Sequence, residues 1–175
     1  RIRDAVFSSS TASLRGGALM ALNTDLVLER VWLTDNTVTG DTGGGAIFAD
    51  GGTLRLLAST VDGNTTTHAT AAGGGLFLFA GVAAEIRDST VSGNSTLGMG
   101  GGFYFNGAAV AGDLEIQVTR SKITQNHAQK FAYGTPKYWN FKPCPQSQKP
   151  RRMAMVSIAR SIFSASRPSR TGRVK

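Results

Sequence analysis

The sequence predicts an all-β solenoid: a parallel β-helix of about four coils plus a partial one, followed by a non-repeat basic tail. Three observations predict it. A glycine-rich triplet recurs at a nearly constant interval, an asparagine recurs in step with it, and the residues between them alternate apolar and polar with the two-residue period of a strand.

The coils read "GGALMALNTDLVLERVWLTDN", "GGAIFADGGTLRLLASTVDGN", "GGGLFLFAGVAAEIRDSTVSGN" and "GGGFYFNGAAVAGDLEIQVTRSKITQN". The third residue of each triplet (Ala18, Ala46, Gly75, Gly102) recurs at spacings of 28, 29 and 27, and the closing asparagines (Asn36, Asn64, Asn94, Asn126) at 28, 30 and 32. Upstream, "VFSSSTASLRGG" reads as the tail of a further coil, with Ser10 near the asparagine position.

Counting back from each asparagine, position −10 holds Leu26, Leu54, Ala84 and Ile116, and position −8 holds Leu28, Leu56, Ile86 and Val118. Position −3 holds Leu33, Val61, Val91 and Ile123. These columns are predicted to point inward, while the mostly polar residues at −9 (Val27, Arg55, Glu85, Gln117) and −7 point outward. A second apolar strand follows each triplet, so a coil is expected to have about three short strands and three bends. One coil cannot bury its own apolar columns; stacking about three or more makes the core. A helical repeat would need a 3.6-residue period and fewer glycines, and antiparallel hairpins would show turns at closer intervals.

Composition divides the chain in two. Residues 1–126 hold 8 Lys/Arg and all 11 Asp/Glu, a net charge of −3, whereas residues 127–175 hold 11 Lys/Arg and no acid. The domain boundaries that follow are 1–129 for the repeats and 130–175 for the tail. No stretch reaches the roughly 20 apolar residues of a membrane-spanning helix. The chain begins with Arg1 and shows no signal-peptide pattern, which is expected of an internal fragment or a processed product. The single cysteine, Cys144, excludes an internal disulfide framework.

The pairing of GG[A/G] plus a large apolar residue ("GGAL", "GGAI", "GGGL", "GGGF") with a downstream apolar-x-x-Asn ("LTDN", "VDGN", "VSGN", "ITQN") resembles the right-handed β-helix repeats of pectin-lyase-like proteins. It is similar above all to the GGA[I/L/V] and FxxN repeats of the chlamydial polymorphic outer-membrane proteins. Here Leu33, Val61, Val91 and Ile123 stand where that motif has phenylalanine. The resemblance implies a right-handed helix in a secreted or cell-surface protein. It also implies a role as an autotransporter passenger, an adhesin or a polysaccharide-processing scaffold.

Several residues carry possible chemistry. Stacked at one bend, Asn36, Asn64, Asn94 and Asn126 can bond one another and the backbone as a ladder. Asn64-Thr-Thr and Asn94-Ser-Thr also match glycosylation sequons, although coils without a sequon keep the asparagine. A glycosidic acid–base pair would need two converging carboxylates. Asp35 and Asp62, at positions −1 and −2 of neighbouring coils, are the candidates for it, with solvated turn aspartates as the alternative. Arg55 with Glu85, and Asp88 with Arg120, share columns in adjacent coils and read as register-supporting ion pairs. His68 and His127 lack ligand-spaced partners, so no metal and no cofactor is expected. "GMGGGF" lacks the Lys-Ser/Thr and the helix of a nucleotide site, so no nucleotide is expected.

The tail, "KFAYGTPKYWNFKPCPQSQKPRRMAMVSIARSIFSASRPSRTGRVK", reads either as an electrostatic arm for nucleic acid or anionic membrane, or as disordered or aberrant sequence. Residues 151–163 fit a short basic amphipathic helix with Met155, Ile158 and Ile162 along one side. The leading functional expectation is a non-catalytic segment of a secreted or surface protein that contacts polysaccharide or a cell-surface ligand. The alternative is a fragment of a polysaccharide lyase or glycoside hydrolase.

Overall fold

A computed structural model describes residues 1–79, 81–106 and 116–129. The expectations for the tail, the amphipathic segment and Cys144 lie outside these residues. Within them the chain is all β, wound into a parallel solenoid of about four turns.

Four parallel sheets run along the solenoid, each taking one strand from every coil it spans. Sheet A contains Ile2–Arg3, Leu26–Glu29, Thr53–Leu57, Ala83–Arg87 and Ile116–Thr119. Sheet B contains Val6–Ser8, Trp32–Thr34, Thr60–Asp62, Thr90–Ser92 and Lys122–Thr124. Sheet C contains Thr11–Ala12, Thr37–Val38, Thr65–Thr66, Ser95–Thr96 and His127–Ala128. Sheet D contains Leu19–Leu22, Ile47–Asp50, Leu76–Leu78 and Phe103–Phe105.

Among the described residues each coil therefore has four strands where about three were expected. The additional one is sheet C, whose two-residue strands directly after the asparagine are too short to show an alternation of their own. Lateral pairing follows the sequence columns: Leu54 pairs with Leu26 and Ala84, Leu56 with Leu28 and Ile86, and Val61 with Leu33 and Val91. Phe7 extends the last of these columns into the partial coil.

The inward columns of sheets A, B and D make one continuous core, in which Leu28, Leu33, Ile47, Leu54, Leu56, Val61 and Leu76 are fully buried. Each such side chain contributes about 1.5–3 kcal/mol of hydrophobic stabilisation. A second apolar cluster lies on the outer side of sheet D. Phe48 and Phe77 stack at 5.3 Å between ring centroids, Phe79 and Tyr104 pack beside them, and the Arg15 guanidinium covers Phe48 at 4.7 Å.

The corners explain the punctuation. The residue at position −6 is left-handed in every coil (Asp4, Arg30, Ala58, Asp88, Arg120), as is that at −1 (Ser9, Asp35, Gly63, Gly93, Gln125). Within the glycine triplet the residues have separate tasks. Gly44 takes φ +73°, whereas at Gly45 an added Cβ would stand 2.0 Å from the Gly74 carbonyl oxygen of the next coil. The first glycine makes the turn and the second lets two backbones touch.

Candidate functional site

The corner between sheets B and C holds the asparagines of the repeat. Asn36, Asn64 and Asn94 are fully buried. The Asn64 Oδ1 accepts from the backbone N–H and the Nδ2 of Asn36, at 3.0 and 2.9 Å, and its own Nδ2 donates to Asn94 Oδ1 at 2.8 Å and Leu33 O at 2.9 Å. The same pattern links Asn94 to Asn126, and the Ser10 N–H donates to Asn36 Oδ1 in the partial coil. These amides satisfy a row of backbone groups that the bend removes from the sheets. Both sequon asparagines are enclosed in this row, so in the folded chain neither offers its amide to a glycan.

A parallel column of buried serines at position −5 went unread in the sequence. Ser59 Oγ accepts from Val31 N–H, Ser89 Oγ from Ser59 N–H and Ser121 Oγ from Ser89 N–H, at 3.0, 3.0 and 3.1 Å. Ser59 and Ser89 are nearly fully buried. The signal was present as "AST", "DST" and "RSK" five residues before each of three asparagines, but without the left-handed residue at −6 it has no meaning.

The charged columns lie outside sheet A and at its corner. Arg55 Nε donates to Glu85 Oε2 at 2.7 Å, and Arg120 grips Asp88 through two bonds of 2.6 Å. Arg30 holds Asp4 likewise, and Arg1 and Arg3 reach Glu29. Hydrogen bonding to Arg120 holds the Asp88 carboxyl below its ordinary value of 3.8, and Arg30 does the same for Asp4. These are exposed pairs, of the kind that supports register more than stability.

Asp35 and Asp62 lie on neighbouring coils at the corner after sheet B. Asp35 is an exposed left-handed residue (φ 56°) whose Oδ1 hangs over Gly63. Asp62 ends its strand facing outward, and its Oδ1 accepts from the Ser92 hydroxyl of the next coil. Its neighbour Gly93 leaves room for that carboxylate, an added Cβ there meeting Asp62 Oδ1 at 3.0 Å. His68 is exposed and bonded to Thr70, away from both aspartates in the chain and in its hydrogen bonds. Among the described residues no group of three or more His, Cys, Asp or Glu could hold a metal ion.

Sheet C presents a different surface. Its outward column is Thr11, Thr37, Thr65, Ser95 and His127, in register from coil to coil. Two residues on, a second column of Ser13, Thr39, Thr67, Leu97 and Gln129 continues the hydrogen-bonded ladder through Thr39, Thr67, Leu97 and Gln129. Seven of these ten positions carry a hydroxyl, and none is Lys, Arg, Asp or Glu. Thr65 Oγ1 and Ser95 Oγ are hydrogen-bonded at 3.1 Å. Around them lies a shallow groove of about 200 Å³, lined by Thr65–Thr67, Ser95–Leu97, His127 and Gln129.

With fold and faces in view, the chain was compared with known proteins. Protein-family models, curated proteins and solved structures return no match. The likeness to pectin-lyase-like and polymorphic outer-membrane repeats thus stands on the repeat residues, and the solenoid itself on the geometry above. The groove on sheet C has no signal of its own in the sequence, because the two-residue strands that line it are too short to show an alternation.

Proposed function

We propose that residues 1–129 are a non-catalytic scaffold segment of a secreted or cell-surface protein, contacting carbohydrate or a cell-surface ligand with an outer face. The observation that carries this reading is a division of labour among the polar residues. Those in the corners are spent on coil-to-coil bonds, and those outside sheet A on ion pairs. On the hydroxyl-rich face of sheet C, Thr39, Thr65, Thr67 and Ser95 also bond once each between coils, but a hydroxyl has three bonding sites, so this exposed face, with its groove, keeps capacity beyond those bonds. The repeat resemblance supports export and surface display.

The enzyme-fragment reading has one observation in its favour: Asp35 and Asp62 come from adjacent coils at one corner. The two readings part on turnover. The chain is incubated with a panel of neutral and acidic polysaccharides, with binding and newly formed chain ends measured together. Binding without new ends is expected. Chain cleavage that disappears in Asp35→Asn or Asp62→Asn would overturn the scaffold reading.

A further inference from the structure

We propose that the outer face of sheet C binds a neutral, extended polysaccharide chain laid along the solenoid axis, with the groove at Thr65, Ser95 and His127 holding one sugar ring. This rests on the carbohydrate-contact reading above and names the face and the class of sugar.

The face is periodic in two directions. Neighbouring coils are separated by about 4.8 Å, and the two outward columns by two residues of strand, about 6.6 Å. A ligand that repeats along the axis meets a similar pair of side chains at every step, which suits a linear polymer better than a compact molecule. The exposed wall of the groove is mostly apolar, as the C–H faces of a sugar ring suit, and Thr65, Ser95, Gln129 and His127 supply donors and acceptors for its hydroxyls. Leu97, at 36% exposure the one large exposed apolar side chain of the groove, gives a C–H face of the ring something to rest on. The groove is shallow and of about 200 Å³, so it offers one local seat on the face rather than a channel along it.

The absence of formal charge from the ten outward positions decides the class. Among the described residues a uronate or sulfated chain would meet no cation in these two columns, while the guanidiniums of Arg30, Arg55 and Arg120 are engaged by carboxylates elsewhere. An ordered-water or ice surface is the other use of a threonine array. It calls for a flat, uniform rank, which Leu97, His127 and Gln129 interrupt with a depression.

The test uses the full chain and soluble linear β-glucan, with polygalacturonate and heparin as acidic probes, in titrations at low and high salt. Two changes address the face. Thr67→Tyr fills the groove from an exposed position, and the pair Thr65→Val with Ser95→Ala removes both hydroxyls without adding bulk; melting curves verify folding. The expected result is glucan binding that survives high salt and weakens about tenfold or more in each variant. Stronger binding of the acidic probes that is weakened by the sheet C variants overturns the neutral class. Glucan binding indifferent to both variants removes sheet C while leaving the scaffold reading intact. No glucan binding at all overturns this proposal and leaves the scaffold reading with a cell-surface ligand alone; ice shaping by the same samples without sugar binding also overturns it.

Discussion

Replacing Asn64 by alanine tests the corner most directly. The substitution removes the acceptor for two donors of Asn36, its backbone N–H at 3.0 Å and its Nδ2 at 2.9 Å, in a place where Asn36 is fully buried. It also removes the donor to Leu33 O. A buried group left unpaired costs about 1–3 kcal/mol, so the two orphaned donors and the bared carbonyl together place the loss at about 3–5 kcal/mol. That is a large part of the roughly 5–15 kcal/mol available to a domain. Urea unfolding of the full chain measures it, with Thr67→Ala, an exposed change one strand away, as reference. Asn64→Asp sharpens the test. The carboxylate can still accept from Asn36 but faces Leu33 O and Asn94 Oδ1 without a proton to share, and burial raises its pKa above the ordinary value. A group whose folded pKa is raised favours the native state below its unfolded pKa and loses that advantage as pH rises through the folded value. The aspartate variant's deficit relative to wild type is therefore smallest in acid and opens toward neutrality. An alanine variant within about 1 kcal/mol of Thr67→Ala would refute the claim that the ladder carries backbone satisfaction.

Four further outcomes follow from other positions. Phe48→Ala empties the centre of the aromatic cluster outside sheet D and removes the ring under Arg15, so denaturation should show a loss of about 3–5 kcal/mol although the residue faces away from the main core. Gly45→Ala should not yield folded protein by circular dichroism, because its Cβ would collide with Gly74 O at 2.0 Å. Gly81→Ala, whose Cβ meets nothing within 4 Å but whose φ is +73°, should fold with a cost of about 1–2 kcal/mol. Asp88→Asn retains a residue type that accepts the left-handed corner but removes the charge facing Arg120. Because the folded pKa of Asp88 is depressed, its contribution is present above the unfolded value and fades as pH falls through the folded one. The melting-temperature gap between wild type and this variant should close in acid and narrow in high salt.

Much of this architecture was legible because stacking imposes one rule on every coil. Leu54 and Leu56 read as inward in the sequence since their equivalents two coils on, Ile116 and Val118, obey the same alternation, and the pairings link them through Ala84 and Ile86. The sheet C strands escaped because two residues cannot display a period. Ser59 and Ser89 escaped because a buried serine looks like a surface one until the left-handed residue before it turns the chain. The aromatic cluster was half visible: "LFLF" marks a strand, yet alternation alone places Phe77 and Phe79 outside, and their burial depends on the packing of Ala72, Met99 and Tyr104 across coils. The site residues fared as their physics requires. Asparagines at a fixed bend are placed by the repeat, whereas the meeting of two carboxylates depends on distances that no spacing supplies.

The uniformity of the sheet C column still needs a cause. Inner columns are apolar because the core excludes water, and the corner columns are fixed by left-handed backbone and buried hydrogen bonds. An outward position on a two-residue strand is under neither constraint. Strand propensity accounts for Thr11, Thr37 and Thr65, since β-branched side chains suit a pleated surface. It does not account for Ser95, which lacks the second branch and has in common with threonine only the hydroxyl, nor for the absence of valine and isoleucine from the whole outward column. Ser95 uses its hydroxyl to bond Thr65 across coils, at 3.1 Å. That bond uses one of the three bonding sites of each hydroxyl, and the sites left over along the exposed column are what a bound chain of sugars would require.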